Sequence, residues 1–167
     1  MIEVRFATVE DAEAISEICS AAWKVTYAEI YSKEYIEKVI DDFYNIDRIR
    51  RECRQSSKEW HGYIVAAKDN QVLGCIGGAC DGDTGFIYVL YVKPDCKGMG
   101  IGSALLDFLT DYQKEHYGIT HQEVFATTGN KMGIPFYEKQ GFELLEVVPN
   151  WVDETEGTQN RYRRQVL

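Results

Sequence analysis

The chain of 167 residues is 45% apolar and 27% charged, with a formal net charge of −9. This length suits a single domain over residues 1–167, with a core large enough to need no disulfide or metal. The negative charge disfavours a nucleic-acid partner, and no apolar run reaches the roughly 20 residues of a membrane span. The N-terminal segment is acidic and the five scattered cysteines lack a metal-binding spacing. We therefore expect a cytoplasmic protein without a metal.

The first part of the chain predicts one strand followed by three helices. Residues 2–7 have β character, and Thr8 precedes a helix with an apolar residue at every third or fourth position. Two further helices are predicted at 33–42 and 47–57. The buried stripe of the first helix is predicted to comprise Ala12, Ile15, Ile18 or Cys19, and Ala22.

The middle of the chain predicts three consecutive strands, at 63–67, 72–79 and 85–92. Short turn sequences join them, Lys-Asp-Asn-Gln after the first strand and Asp-Gly-Asp after the second. Such short connections require antiparallel pairing, because a parallel pair needs a long crossover.

The last part of the chain returns to helical periodicity from Gly100 to Gly118. A strand at 123–127, a short helix at 132–140, and a final antiparallel pair of strands at 144–148 and 161–167 follow. The whole order predicts an α+β (mixed α/β) fold, with a mixed, mostly antiparallel sheet of about seven strands flanked by helices.

A glycine-rich turn between a strand and a helix carries the clearest chemical signal, in VKPDCKGMGIGSALL at 92–106. Gly98, Gly100 and Gly102 let the backbone approach a ligand, and free amides at a helix N-terminus favour phosphate. A P-loop is excluded because GxxxxGK is absent. A dinucleotide fingerprint is disfavoured because antiparallel strands precede the turn. The alternative is a tight turn without a ligand.

This segment resembles the acetyl-CoA signature of the GNAT superfamily, a strand ending V-x-P followed by Gln/Arg-x-x-Gly-x-Gly/Ala. One position departs from it, since Lys97 replaces the usual glutamine or arginine. The resemblance implies that the turn binds the pyrophosphate of acetyl-CoA through Lys97, Gly98, Met99, Gly100, Gly102 and Ser103. It also implies that the backbone of the preceding strand pairs with the pantetheine arm and the acetyl carbonyl at Leu90, Tyr91 and Val92.

A second segment, NKMGIPFYEKQGFELL at 130–145, is similar to the family's N-x-x-A-x-x-F-Y-x-x-x-G-F block. Gly133 stands where alanine is usual. The resemblance implies that Asn130 hydrogen-bonds the pantetheine end of the cofactor and that the Tyr137 hydroxyl lies near the thioester sulfur. Without the resemblance, the asparagine would be interpreted as a helix cap and the tyrosine as core.

These residues predict an N-acetyltransferase in which a primary amine attacks acetyl-CoA directly in a ternary complex. The Val92 amide is the candidate oxyanion donor, and Tyr137 is the candidate general acid, since an ordinary tyrosine pKa near 10 keeps it protonated. The general base is unassigned, because Phe86 stands where many members of the family have glutamate. Asp83, Tyr88 and a chain of water molecules stay open as alternatives.

The acceptor is predicted to contact Trp23, Tyr27 and Tyr31, in a stretch similar to a Trp-x-x-Thr-Tyr segment of many family members. The loop Asn150–Asn160 is predicted to form another wall of this pocket, and its acidic residues Asp153, Glu154 and Glu156 would attract a cation. A small-molecule amine is the leading acceptor. A protein N-terminus or lysine, or a non-catalytic acetyl-CoA-binding regulatory module, are the alternatives. The sequence leaves the oligomeric state, including a homodimer, undetermined.

Overall fold

The computed structural model describes every residue from Met1 to Leu167. The seven strands are β1 (Glu3–Phe6), β2 (Tyr63–Lys68), β3 (Gln71–Asp81), β4 (Thr84–Val92), β5 (His121–Thr127), β6 (Glu143–Pro149) and β7 (Thr158–Gln165). The five α-helices are α1 (Ala12–Thr26), α2 (Lys33–Phe43), α3 (Ile46–Cys53), α4 (Ile101–Tyr117) and α5 (Gly133–Lys139). No helix is both long enough and apolar enough to cross a membrane.

All seven strands form one open sheet in the order β1-β2-β3-β4-β5-β7-β6. Every neighbouring pair is antiparallel except β4 and β5, which are parallel and are connected through α4. The predicted class, a mixed and mostly antiparallel sheet of about seven strands with flanking helices, is confirmed.

Two hydrophobic clusters cover the two faces of the sheet. Helices α4 and α5 pack on one face, where Leu105, Leu109 and Tyr137 join Ile87 and Val124. Helices α1 to α3 pack on the other. The predicted stripe of α1 is confirmed, since its buried residues are Ala12, Ile15, Ile18, Cys19 and Ala22.

Local chemistry explains several element ends. Asp69 and Asn70 form the two-residue β2–β3 turn with φ of 52° and 63°, as the twist of a hairpin requires. Helix α3 ends at Cys53, earlier than predicted, and the indole of Trp60 donates to the Glu52 carbonyl in its last turn, at 3.0 Å. Strand β7 begins at Thr158, three residues earlier than predicted. Its polar sequence is a weak strand signal, but hydrogen bonds to both β5 and β6 stabilise it as a strand.

The centre of the sheet is incomplete. Gly78 pairs with Ile87 and Gly77 with Val89, so Tyr88 is an extra residue that forms a β-bulge in β4. The parallel ladder between β4 and β5 stops at Ile87 and Val124. Beyond it, residues 88–92 of β4 and 125–127 of β5 run without mutual pairing. We call this opening the strand gap.

Candidate active site

The glycine turn lies at one mouth of the strand gap, between the end of β4 and the start of α4. Gly98 and Gly100 have φ of 82° and 78°, in the left-handed region that glycine adopts readily. The first helical hydrogen bond joins the Ala104 amide to the Gly100 carbonyl at 3.1 Å, so the amides of residues 101–103 have no partner within the protein. No atom lies within 4 Å of the Cβ position at either of the two glycines. The turn therefore offers free donors and open space to an anionic ligand.

The two candidate catalytic residues lie on the α4–α5 side of the sheet. Val92 and Tyr137 are each 8% exposed and belong to the same hydrophobic cluster. Burial raises the pKa of Tyr137, and a charge on the nearby Tyr27 would raise it further. The Tyr137 phenol therefore stays protonated at neutral pH and can act as a proton donor.

Asn130 is buried, and its side chain binds the backbone at the start of α5. Its Oδ1 accepts hydrogen bonds from the amides of Met132 at 3.1 Å and Gly133 at 2.9 Å. A Cβ at Gly133 would lie 2.6 Å from the Asn130 Nδ2. Glycine at position 133, where the family has alanine, therefore leaves room for the Asn130 side chain. A contact of Asn130 with pantetheine stays a prediction.

A cavity of about 560 Å³ opens on the opposite side of the strand gap, against α1–α3. The three predicted acceptor-binding residues, Trp23, Tyr27 and Tyr31, all line it, and the Trp23 and Tyr31 rings are stacked at 12°. From the sheet, β4 contributes Val89 and Tyr91 to its wall. The glycine turn and the cavity therefore lie on opposite sides of one opening.

Hydrogen bonds hold the polar end of the cavity in place. The Tyr27 hydroxyl lies 3.4 Å from that of Tyr91, and the Tyr31 hydroxyl lies 3.1 Å from Thr127 Oγ1. The side-chain amide of Asn150 donates to the hydroxyls of Tyr31 at 3.3 Å and Tyr35 at 3.2 Å. These bonds tie the loop after β6 to the aromatic residues of the cavity wall.

Two buried polar atoms have no hydrogen-bond partner, and both belong to the cavity wall. They are the indole nitrogen of Trp23 and the side-chain oxygen of Gln159. Unpaired buried polar groups are costly, so such atoms on a cavity wall point to a ligand. The cavity also contains a half-buried carboxylate, Glu52, whose pKa is raised by burial despite nearby arginines.

Comparison with known proteins identifies this architecture. The model of the acetyltransferase (GNAT) family matches residues 21–142, most of the chain. The chain belongs to the GNAT acetyltransferase family. The predicted family and enzyme class, an acyltransferase, are both confirmed.

Relatives of the enzyme extend this assignment. The spermidine N(1)-acetyltransferase of Thermoplasma acidophilum is 31% identical over 144 residues, covering 86% of this GNAT chain and 89% of the relative. The crystal structure of PaiA N-acetyltransferase from the same organism, in complex with coenzyme A, is 28% identical, covers 99% of both chains and has a TM-score of 0.86. Ard1 from Thermoplasma volcanium shares the fold, with a TM-score of 0.71 at 22% identity over 99% of this chain and 98% of Ard1.

The structure narrows the candidates for the general base of this GNAT enzyme. Asp83 precedes β4 and is about 30 Å along that strand from Val92, too far to reach the same substrate. Glu123 lies opposite Phe86 but is bound by Arg161 at 2.8 Å and Arg163 at 2.6 Å. Burial alone would raise the pKa of Glu123, but the two guanidinium groups hold it below its ordinary value, which makes it a weak base.

Several cavity residues were not predicted from the sequence. Tyr35 had a signal, since Tyr27, Tyr31 and Tyr35 recur every fourth residue. Glu52 had none, because it comes from a polar helix that only the tertiary fold brings to the cavity. Gln159 lies within the 150–160 segment predicted as a wall, which also contributes Asn150, Trp151 and Val152. The acidic residues of the 150–160 loop do not line the cavity.

Proposed function

We propose that the enzyme transfers the acetyl group of acetyl-CoA to a primary amine of a small molecule, by direct attack of the amine in a ternary complex. One observation carries this proposal: the strand gap has a glycine turn with unpaired amides on one side and an aromatic cavity on the other. An acyl donor and an amine entering from opposite sides would meet in the gap.

The chain fits coenzyme A at the first of these sides. The free amides of residues 101–103 and the open glycine turn suit a pyrophosphate. The unpaired edge of β4 at Leu90, Tyr91 and Val92 can exchange backbone hydrogen bonds with an amide-containing arm. The relative that was crystallised with coenzyme A supports the same assignment. When bound, acetyl-CoA would supply an activated thioester.

Two groups of the chain can then assist the transfer. The Val92 amide can donate to the oxygen that becomes negative as the amine attacks. The buried Tyr137 phenol, protonated at neutral pH, can give its proton to the departing thiolate. Neither role needs a charged side chain in the gap.

The cavity volume of about 560 Å³ is of the size that takes a small molecule. Asn150 ties the loop after β6 to Tyr31 and Tyr35, which fixes the position of this wall of the cavity. Aromatic faces suit a cationic amine at about 0.5–2 kcal/mol each. The relative named as a spermidine acetyltransferase is consistent with this class of acceptor.

A single screen tests the proposal. The purified enzyme is incubated with acetyl-CoA and spermidine, an aminoglycoside, an amino acid or a short peptide, and the free thiol and acetylated product are measured. We expect acetylated spermidine and little modified peptide. Turnover of peptides alone would transfer the enzyme to the protein-acetylating class. Binding of acetyl-CoA without turnover of any amine would favour a regulatory module.

A further inference from the structure

The charges on the cavity wall are few and unevenly placed. Among the lining residues only Arg48, Glu52 and Glu59 are ionic, so carboxylates exceed cations. Glu59 is exposed, whereas the Glu52 side chain is 20% exposed. Glu52 is therefore the acidic group that a bound molecule would meet inside the cavity.

Glu52 is incompletely neutralised by its own helix. The nearest cation, Arg48 Nε, lies 3.5 Å from Glu52 Oε2. The Arg48 guanidinium is also engaged elsewhere, since it lies 4.7 Å from the centre of the Phe43 ring and donates to the Asp42 carbonyl at 3.1 Å. Burial raises the pKa of Glu52 even with Arg48 and Arg51 nearby. A further cation would stabilise this carboxylate.

An independent feature at the other end of the cavity also calls for a hydrogen-bond donor. Gln159 is 9% exposed, lines the cavity, and its side-chain oxygen has no partner. It pairs with Thr127 at the end of β5, next to the strand gap. The indole N–H of Trp23 is a donor, so it does not bind an ammonium group.

The sheet sets the distance between these groups. The indole of Trp60, which donates to the Glu52 carbonyl at 3.0 Å, packs against Gly77 of β3 and Tyr63 of β2. These two strands lie one and two positions from β4 in the sheet. Neighbouring strands are about 4.8 Å apart, so the end of α3 that Trp60 contacts lies over strands about 5–10 Å from β4. A chain of three or four methylene groups spans such a distance.

We infer that the cavity selects a linear diamine or polyamine, with its reacting amine at the strand gap within reach of Gln159 and its distal ammonium group bound by Glu52. The inference rests on the proposed function for the reaction itself. It adds that the second positive charge, absent from a simple monoamine, provides the specificity, and it names Glu52 as the residue that recognises this charge.

The first test compares putrescine with n-butylamine, which has the same four carbons but lacks the second amine. We expect kcat/KM for putrescine to be at least about tenfold higher, equivalent to about 1.4 kcal/mol. Equal values for the two amines would overturn the inference without any mutation. The acetyltransferase reaction itself would survive that result.

The second test removes the Glu52 charge with Glu52→Gln and uses Glu37→Gln as the matched control. Glu37 is exposed on α2 and lies outside the cavity wall, so this variant changes only the overall charge. We expect Glu52→Gln to raise KM for putrescine about tenfold with kcat almost constant and KM for n-butylamine unchanged. An equal loss for both amines, or the same effect in Glu37→Gln, would refute the role of Glu52.

Direct binding separates this inference from the reaction. Calorimetry with coenzyme A present should show putrescine binding more tightly than n-butylamine, and this difference should vanish in Glu52→Gln. Selective binding without acetylation would uphold the inference and reject the proposed function. Acetylation without any preference for the diamine would do the reverse.

Discussion

Tyr137→Phe is the sharpest test of the proposed chemistry. The ring of Tyr137 is buried between Phe136 and Phe142, with edge-to-face contacts at 5.4 and 5.6 Å, which phenylalanine would keep. Its hydroxyl has no hydrogen-bond partner in the protein, so the change should cost less than about 1 kcal/mol of folding stability. Loss of a general acid lowers the rate about 10²–10⁴-fold, or about 2.7–5.5 kcal/mol in the barrier.

The assay follows thiol release from acetyl-CoA with spermidine at saturation, alongside the Kd for coenzyme A. We expect kcat to fall by at least about a hundredfold while the Kd changes little. Tyr162→Phe serves as the control, because it removes a buried hydroxyl from the same hydrophobic cluster outside the strand gap. An unchanged kcat in Tyr137→Phe, with the chemical step limiting, would show that the thiolate leaves without this proton.

The pH dependence of the rate is a second test of Tyr137 as the proton donor. Burial raises the pKa of Tyr137 above the ordinary tyrosine value of about 10, so the proton donor persists through neutral and mildly alkaline pH. Loss of activity from its ionisation should begin only above that range. A decline below about pH 9 that disappears in Tyr137→Phe would contradict this assignment.

Three further predictions concern the donor site, folding and the acceptor. Gly100→Val should abolish coenzyme A binding in a calorimetric titration and cost about 1–2 kcal/mol of stability, because φ is 78° there; an unchanged Kd would contradict the glycine-turn assignment. Glu123→Gln should destabilise the fold by about 2 kcal/mol at pH 7 in urea. Because the pKa of Glu123 is lowered, this difference should shrink as pH falls through the folded-state pKa, and a constant difference would refute the ion-pair explanation. Finally, kcat/KM for spermidine should fall with added salt while that for a neutral amine does not, and equal salt responses would remove the electrostatic argument.

The sequence was most informative where local chemistry determines the structure. The glycine turn needs positive φ at Gly98 and Gly100, and hairpin turns need short polar sequences, so both are visible in a few adjacent residues. The stripe of α1 follows helical spacing for the same reason. These features sufficed to predict the sheet, its flanking helices and the position of the glycine turn.

The acceptor cavity depended on contacts between distant segments. Gln159 reaches the cavity only because β7 inserts between β5 and β6, an order that no local pattern encodes. Glu52 belongs to a polar helix, where an acidic residue normally faces solvent. The bulge at Tyr88 likewise depends on the register between β3 and β4. The sequence therefore predicted the reaction type better than the acceptor.

The strand gap also has a mechanical consequence. Across it, strands β1–β4 and strands β5–β7 are joined by a ladder of only four residue pairs, from Thr84–His121 to Ile87–Val124. A ligand that hydrogen-bonds to the free edge of β4 would add contacts at the place where this short ladder ends. Any ligand that binds only the folded state raises its stability, so the empty enzyme is the more compliant form. Binding and release of such a ligand would thus stiffen and loosen the contact between the two halves of the sheet.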